Sequence, residues 1–169
     1  VDYNGDGLLD LFVNSNSLYR NDGDEQFTKV NFSGINIGFG NGNSWGDIDR
    51  DGDLDVLIAA SPSKYFRNDD STFTEVPLST STISNRLFWS VALGDYNEDG
   101  WLDAYFTHPA RFLGNDRPSL LLVNNQDGTL RANPNTPVDD SLAAYTIGSW
   151  TDYDRDGDLD LFVGSGEVN

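Results

Sequence analysis

The chain lacks cysteine and methionine, has one histidine, and carries only ten lysine and arginine residues among its 169 positions. Without cysteine there is no disulfide and no thiolate metal site. The shortage of basic residues argues against a nucleic-acid partner, because phosphate binding needs a positively charged surface. No apolar run approaches the roughly 18 residues of a membrane-spanning helix. A signal peptide is not visible, and because the sequence opens inside a motif we expect the true N-terminus to lie upstream.

Acidic residues are abundant instead. The chain has 28 of them, which gives a formal net charge of −18. Such a charge strains a compact fold through self-repulsion. Disorder is one solution, but disordered chains are poor in aromatic residues, and this sequence has ten Phe, seven Tyr and four Trp. The composition therefore predicts a folded domain whose acids either form a solubilising coat or surround cations.

An acidic motif of nine residues occurs four times without gaps. Its pattern is D-x-[DN]-x-D-G-x-L-D, and the copies start at Asp2, Asp47, Asp95 and Asp152. A short apolar run follows each copy, and in the first three units an Asn/Asp/Gly-rich turn between apolar segments comes next. This second element is typical of a β-hairpin. One more short strand is predicted before each later motif, at 43–46, 89–93 and 147–150.

Four antiparallel strands in roughly 45–50 residues is the period of a propeller blade. No segment shows sustained helical periodicity. The sequence therefore predicts an all-β fold, in which one domain over residues 1–169 consists of propeller blades built as four-stranded antiparallel sheets. The predicted blade units are approximately 1–32, 41–77, 88–132 and 146–169. They amount to about three blades of an incomplete ring, which is either part of a larger propeller or a protomer that completes one by self-association.

The spacing of oxygen-bearing side chains predicts a calcium ion in each motif. Asp or Asn at positions one, three and five turns oxygens toward a common centre, and Gly at position six permits the positive φ of a sharp turn. The carbonyl of position seven adds a ligand, and the Asp at position nine can bind with both oxygens. Six or so hard oxygens suit Ca²⁺ better than Mg²⁺. The predicted ligands are Asp2, Asn4, Asp6, Leu8 and Asp10; Asp47, Asp49, Asp51, Asp53 and Asp55; Asp95, Asn97, Asp99, Trp101 and Asp103; and Asp152, Asp154, Asp156, Asp158 and Asp160.

The motif has two other possible interpretations. An EF-hand needs Glu at position twelve and flanking helices, whereas position twelve here is Val13, Ile58, Phe106 or Val163. The EF-hand is therefore rejected. Polar turns without a cation would explain one motif, but four copies with the same Leu and Asp at positions eight and nine favour calcium. Four Ca²⁺ ions would reduce the net charge from −18 to −10; occupancy of the first loop stays open because Asp2 lies at the end of the sequence.

The stretches 47–58 and 152–163, together with the Tyr-Arg-Asn-Asp-Gly turn at 19–23, resemble FG-GAP/VCBS-type repeats. These repeats form the blades of integrin α-subunit head propellers and of many bacterial surface proteins. The resemblance covers nearly the whole chain and implies a propeller, usually of seven blades, with Ca²⁺ in the loop between strands one and two. The sequence departs from the family in its missing blades and in an enlarged loop at 109–118.

The function predicted is that of a calcium-binding, non-enzymatic interaction or adhesion module, secreted or on the cell surface. Its calcium is structural, and its protein or glycan partner binds the opposite face, where we place segments 33–42, 77–87, 108–118 and 133–145. A lectin, or a catalytic or non-catalytic part of a polysaccharide-acting secreted enzyme, is the alternative. His108 is predicted to be a solvated loop residue, because no nucleophilic triad can be placed around it. Trp45, Trp89 and Trp150 are expected to pack between blades.

Overall fold

A computed structural model describes residues 1–13, 17–30, 40–78, 86–109, 119–133 and 145–165, and every regular element in these ranges is a β-strand. The strands are β1 (Leu11–Val13), β2 (Ser17–Gly23), β3 (Gln26–Val30), β4 (Gly40–Gly46), β5 (Asp55–Ala60), β6 (Lys64–Asp69), β7 (Thr72–Val76), β8 (Ser90–Gly94), β9 (Asp103–Thr107), β10 (Leu120–Asn124), β11 (Leu130–Ala132), β12 (Tyr145–Thr151) and β13 (Asp160–Ser165).

These strands form four separate antiparallel sheets, each made of consecutive strands. We call them blade one (β1–β3), blade two (β4–β7), blade three (β8–β11) and blade four (β12–β13). The described sheets do not close into a ring. The predicted all-β fold with incomplete propeller blades is confirmed.

Burial follows the position of each strand within this row of sheets. In blades two and three, β5, β9 and β10 are buried along their whole length, because neighbouring sheets cover both of their faces. Strands buried on both sides read as continuous apolar runs rather than as an alternating pattern. The short strand β1 of blade one is half-buried at Phe12 and exposed at its two ends.

Aromatic side chains join consecutive blades. Phe12 of blade one meets Trp45 of blade two edge-on, with ring centroids 5.4 Å apart. Trp150 of blade four packs edge-on against Tyr105 of blade three at 6.3 Å and stacks on Tyr96 at 6.1 Å. A side chain at Gly94 would overlap the Trp150 ring, so a glycine is required where this indole lies on blade three. The predicted packing of Trp45 and Trp150 between blades is confirmed.

The expectation for His108 is wrong. Its side chain is buried, and its Nδ1 lies 2.8 Å from the carbonyl oxygen of Leu87. The imidazole also meets the ring of Phe88 edge-on, with centroids 5.8 Å apart. The sequence does not reveal this environment, because Leu87 and Phe88 lie 21 and 20 residues earlier and reach His108 only through the pairing of β8 with β9.

Within the ranges that the structure describes, no helix is long and apolar enough to cross a membrane.

Candidate metal centres

The acidic motifs form the loops between the first two strands of blades two, three and four, and in blade one the motif lies directly before β1. One hydrogen bond closes all four loops in the same way. The carboxylate of the Asp at position one accepts the backbone N–H of the Gly at position six, five residues later. The distances are 3.0 Å for Gly7 to Asp2, 3.1 Å for Gly52 to Asp47, 2.8 Å for Gly100 to Asp95 and 3.2 Å for Gly157 to Asp152. The identical motif therefore gives an identical local fold.

Two further hydrogen bonds turn the side chains at positions three and five inward. The oxygen at position three accepts the N–H of position five, and the oxygen at position five accepts the N–H of position seven. In blade two these bonds run from Asp51 N to Asp49 at 3.3 Å and from Asp53 N to Asp51 at 2.9 Å. Loops one and three repeat them with Asn at position three. Successive oxygens are thus held on the inner side of the turn.

The backbone is left-handed at position six, as the glycines there predict. The φ values are +85° at Gly7, +102° at Gly52, +87° at Gly100 and +105° at Gly157. Position four is left-handed as well, with Gly5, Arg50, Glu98 and Arg155 between +58° and +68°. This second reversal was not predicted, and its one signal in the sequence is the glycine at position four of the first copy.

The Asp at position nine connects its loop to the rest of its blade. Asp55 is fully buried, and its two carboxylate oxygens accept the N–H groups of Ile48 and Asn68, both at 2.9 Å. Asp10 does the same with Tyr3 at 3.1 Å and Asn21 at 2.8 Å. The position-nine carboxylate therefore fixes the loop at position two and the hairpin strand at its Asn, in addition to any role as a ligand.

Three carboxylates converge in each of two loops. Carboxylate oxygens of Asp47, Asp49 and Asp55 all lie within 4.8 Å of one another, and those of Asp152, Asp154 and Asp160 do the same. These are positions one, three and nine of loops two and four. Loops one and three carry Asn4 and Asn97 at position three, so a neutral amide oxygen stands there in place of a carboxylate. The structure thus brings the predicted side chains of positions one, three and nine together in two loops.

A buried oxygen at position one fits a cation in three loops. The Oδ1 atoms of Asp2, Asp47 and Asp152 are buried and have no hydrogen-bond donor. A buried carboxylate oxygen without a donor or counter-charge is costly. In loop three the equivalent oxygen of Asp95 accepts the N–H of Asp99 at 3.0 Å instead. Hard oxygen donors that converge around an unpaired anionic oxygen match the ligand chemistry of Ca²⁺.

The side chains at position seven have other contacts, as expected where the backbone carbonyl is the predicted ligand. The Asp53 carboxylate accepts the N–H of Asp70 at 2.6 Å, which connects loop two to the hairpin turn of its own blade. The Trp101 ring lies under the guanidinium of Arg50, 5.3 Å from its centroid. This contact joins the acidic loops of blades two and three.

Burial raises the pKa of the position-nine carboxyls of loops two and three, Asp55 and Asp103. Removal from water raises the pKa of Asp55 from 3.8 to about 6, although the N–H groups of Asn68 and Ile48 oppose the shift. Burial also raises the pKa of Asp103 to about 6, against the N–H of Asn124. Asp49 has a raised pKa through burial and the nearby charge of Asp51. Ionising these groups without a bound cation is therefore unfavourable.

One further functional position, the Asn of the hairpin, is not evident from the acidic motif. Asn68 donates its side-chain amide to the carbonyl of Leu54, at position eight of its own loop, and to that of Tyr3, at position two of the preceding loop. Asn124 repeats this with Leu102 and with Ile48 of the preceding loop. The signal was present, since an Asn recurs in the second repeated element at 21, 68 and 124. The role of this Asn could not be read from the sequence, because one of its two acceptors belongs to the preceding blade.

The segments predicted for partner recognition lie largely outside the described residues, which leave out 31–39, 79–85, 110–118 and 134–144. Two hydrogen bonds place hairpin turns beside the acidic loops of their own blades. The hairpin turn of blade two contacts its own acidic loop through Asp70, and Gln126 of blade three donates to Asp99 at 3.2 Å.

Comparison with known families agrees with this geometry. A family model for the FG-GAP-like repeat matches the chain twice, over residues 2–58 and 47–106, and together the matches span more than half of it. No curated protein matches the sequence.

Proposed function

The chain belongs to the FG-GAP-like repeat family, and from that premise we propose that it is a calcium-braced, non-enzymatic interaction module of the extracellular type. FG-GAP-like repeats are typical of extracellular proteins, which supports this location. In the proposal calcium holds the blades in register, while the face remote from the acidic loops binds a protein or glycan.

The observation that carries the calcium assignment is the buried position-one oxygen without a donor, which recurs in loops one, two and four. In loops two and four it belongs to an Asp whose carboxylate converges with two others. Asp2, Asp47, Asp95 and Asp152 would hold the ion together with positions three, five and nine of their loops. The cation would offset the repulsion among carboxylates and stabilise the turn.

The chemistry of such sites supports the extracellular setting. Oxygen-only loops in extracellular modules bind calcium with dissociation constants of about 10⁻⁴–10⁻³ M, which suits the abundance of calcium outside cells. Each bound divalent ion also reduces the self-repulsion of a chain whose net charge is −18. Calcium that binds only the folded state adds free energy of binding to the stability of the fold.

Isothermal titration of the calcium-free chain with CaCl₂ tests the assignment. We expect binding at several sites per chain and a much weaker response to MgCl₂. The test variant is Asp51→Asn, within loop two. Its matched control is Asp24→Asn, which removes the same charge from an exposed position outside the loops. A loss of one site in the first variant and none in the second is expected; equal titrations of both variants would disprove the assignment.

A glycan array and a panel of extracellular matrix proteins, probed in parallel, test the class of partner. The labelled, calcium-loaded chain should bind one of the two collections. Replacing residues 110–118 with a short Gly/Ser linker should weaken that binding while calcium uptake stays unchanged. Selective glycan binding would favour the lectin alternative, and release of oligosaccharide from a polysaccharide would contradict the non-enzymatic role.

A further inference from the structure

Asn4 occupies position three of loop one and is followed by a glycine. The chain has two such Asn-Gly pairs, Asn4-Gly5 in loop one and Asn41-Gly42 in β4. Asparagine is a chemically labile residue. A glycine after it leaves the next backbone nitrogen unhindered and mobile, because glycine has no Cβ. The structure gives these two pairs very different surroundings.

Asn97 occupies the same position in loop three and is held in the same way. In both loops the Asn side-chain oxygen accepts the N–H of the position-five Asp, at 3.2 Å for Asn4 and 3.1 Å for Asn97. The side-chain amide donates to the carboxylate of that Asp, at 2.9 and 3.2 Å respectively. The following residue is left-handed in each loop, with φ of +68° at Gly5 and +58° at Glu98. The two sites therefore share their local geometry and differ in the residue that follows the Asn.

The contacts of loop one favour attack on the Asn4 side chain. The N–H of Asp6 donates to its oxygen, so it polarises the carbonyl and stabilises the negative charge that develops there when a nucleophile adds. Gly5 is exposed, and a Cβ at its position would meet nothing within 4 Å. Solvent therefore has access to this turn.

Blade packing holds the second Asn-Gly pair in place. The side-chain amide of Asn41 donates to the carbonyl of Phe88, next to the first strand of blade three, at 3.0 Å. Gly42 pairs with Ala59 of β5, and a Cβ at Gly42 would lie 2.8 Å from the carbonyl oxygen of Trp89. The backbone of Gly42 is therefore held on two sides, and its nitrogen cannot turn toward the Asn41 side chain without disturbing that pairing.

We propose that Asn4 is a site of spontaneous deamidation, which converts position three of loop one from an amide to a carboxylate. The backbone nitrogen of Gly5 gives up its proton to water and attacks Cγ of Asn4. The bond between Cγ and Nδ2 breaks, and Nδ2 leaves as ammonia after taking a proton from water. Water then opens the succinimide ring, at the side-chain carbonyl to give aspartate or at the backbone carbonyl to give isoaspartate.

The two products affect the loop differently. Aspartate is the residue that loops two and four carry at position three, where Asp49 and Asp154 accept the N–H of position five at 3.3 and 3.2 Å. Isoaspartate lengthens the main chain inside the turn that the position-one carboxylate closes. Aspartate replaces the hydrogen bond from Asn4 to Asp6 with repulsion between two carboxylates. Deamidation should therefore make loop one more dependent on a cation, an effect that rests on the proposed function, whereas the reaction itself does not.

Peptide mapping by mass spectrometry, after incubation of the whole chain at neutral pH with a chelator, tests the reaction. Deamidation should be about tenfold faster, or more, at Asn4 than at Asn97 or Asn41. Gly5→Glu gives loop one the residue that follows Asn97 and should slow Asn4 to the rate of Asn97. The reciprocal Glu98→Gly should accelerate the reaction at Asn97.

A wild-type chain in which Asn4 reacts no faster than Asn97 would overturn the proposal, and so would an unchanged rate in Gly5→Glu. The role of blade packing is tested in urea, where Asn41 should approach the rate of Asn4 because its pairing is lost. Equal rates at Asn4 and Asn41 in the folded chain would refute that role.

Asn4→Asp fixes the aspartate product and tests its consequence. Isothermal titration with CaCl₂ should show a lower dissociation constant at one site, and the melting temperature in chelator should fall below that of the wild-type chain. Asn125→Asp is the matched control, because it adds the same charge at an exposed position outside the acidic loops. Equal titrations of the two variants would refute the effect on calcium. A chain that binds no calcium would disprove the proposed function and leave the deamidation rates unaffected.

Discussion

The side-chain amide of Asn68 lies 2.9 Å from the carbonyl oxygen of Tyr3, 65 residues earlier in the chain. The same amide lies 3.2 Å from the carbonyl of Leu54, in the acidic loop of its own blade. Asn68 also donates its backbone N–H to Asp55. One residue therefore connects two consecutive acidic loops. A change at this position should affect both the packing of the blades and the loops proposed to bind calcium.

Replacing Asn68 with Ala should destabilise the protein by about 2–3 kcal/mol, because two carbonyls would lose their donor in a buried setting. Asn21→Ala is the matched control, since that side chain donates to the carbonyl of Leu9 alone in an exposed setting, and the loss should stay below about 1 kcal/mol. Urea denaturation in the presence of calcium measures both. Equal losses would mean that the contact between blades contributes little.

Removing calcium should lower the melting temperature markedly. A site held at a hundredfold excess over its dissociation constant contributes about 2.7 kcal/mol. Scanning calorimetry with and without a chelator measures the change. With calcium present, Asp156→Asn should show part of the same decrease in melting temperature. A transition that does not move on chelation would contradict structural calcium.

Gly128→Ala should destabilise the protein more than Gly157→Ala. Both glycines have positive φ, +79° and +105°, so both substitutions strain the backbone. A side chain at Gly157 would meet open space, whereas one at Gly128 would clash with Asp49 in the acidic loop of the preceding blade. Thermal melts rank the two variants, and calcium titration should show weaker binding in Gly128→Ala; equal melting temperatures would contradict this close approach.

In the calcium-free protein, stability should fall as pH rises. Burial raises the folded-state pKa of Asp55 and Asp103 to about 6, above the ordinary 3.8. The folded protein therefore keeps protons that the unfolded chain releases. This contribution is fully present below about pH 4 and is lost as pH rises through about 6.

Bound calcium should remove or reverse that trend, because the cation favours the ionised carboxylates. Melting temperatures of desalted protein between about pH 4 and pH 7, with and without added calcium, measure the difference. Parallel curves in the two conditions would show that these carboxylates do not respond to the ion.

The sequence was sufficient for the fold and for most of the internal geometry of the acidic loops, because both depend on local repetition; the left-handed backbone at position four was the exception. Gly52 at position six specifies its own left-handed turn, and the apolar run after Asp55 specifies its own strand. The environment of His108 could not be predicted, since it depends on Leu87 and Phe88, which strand pairing brings close. The Asn68 contact was hidden for a similar reason, because its acceptor is a backbone carbonyl of another blade.

The acceptor of the contact between blades is a main-chain carbonyl, and every amino acid supplies one. Position two is accordingly Tyr3 in one loop and Ile48 in the next, with the same 2.9 Å hydrogen bond to each. For this hydrogen bond, the preceding blade must supply a backbone carbonyl in the right place but no particular side chain. Units of this kind can be duplicated, exchanged or lost in a gene while the joint between them survives.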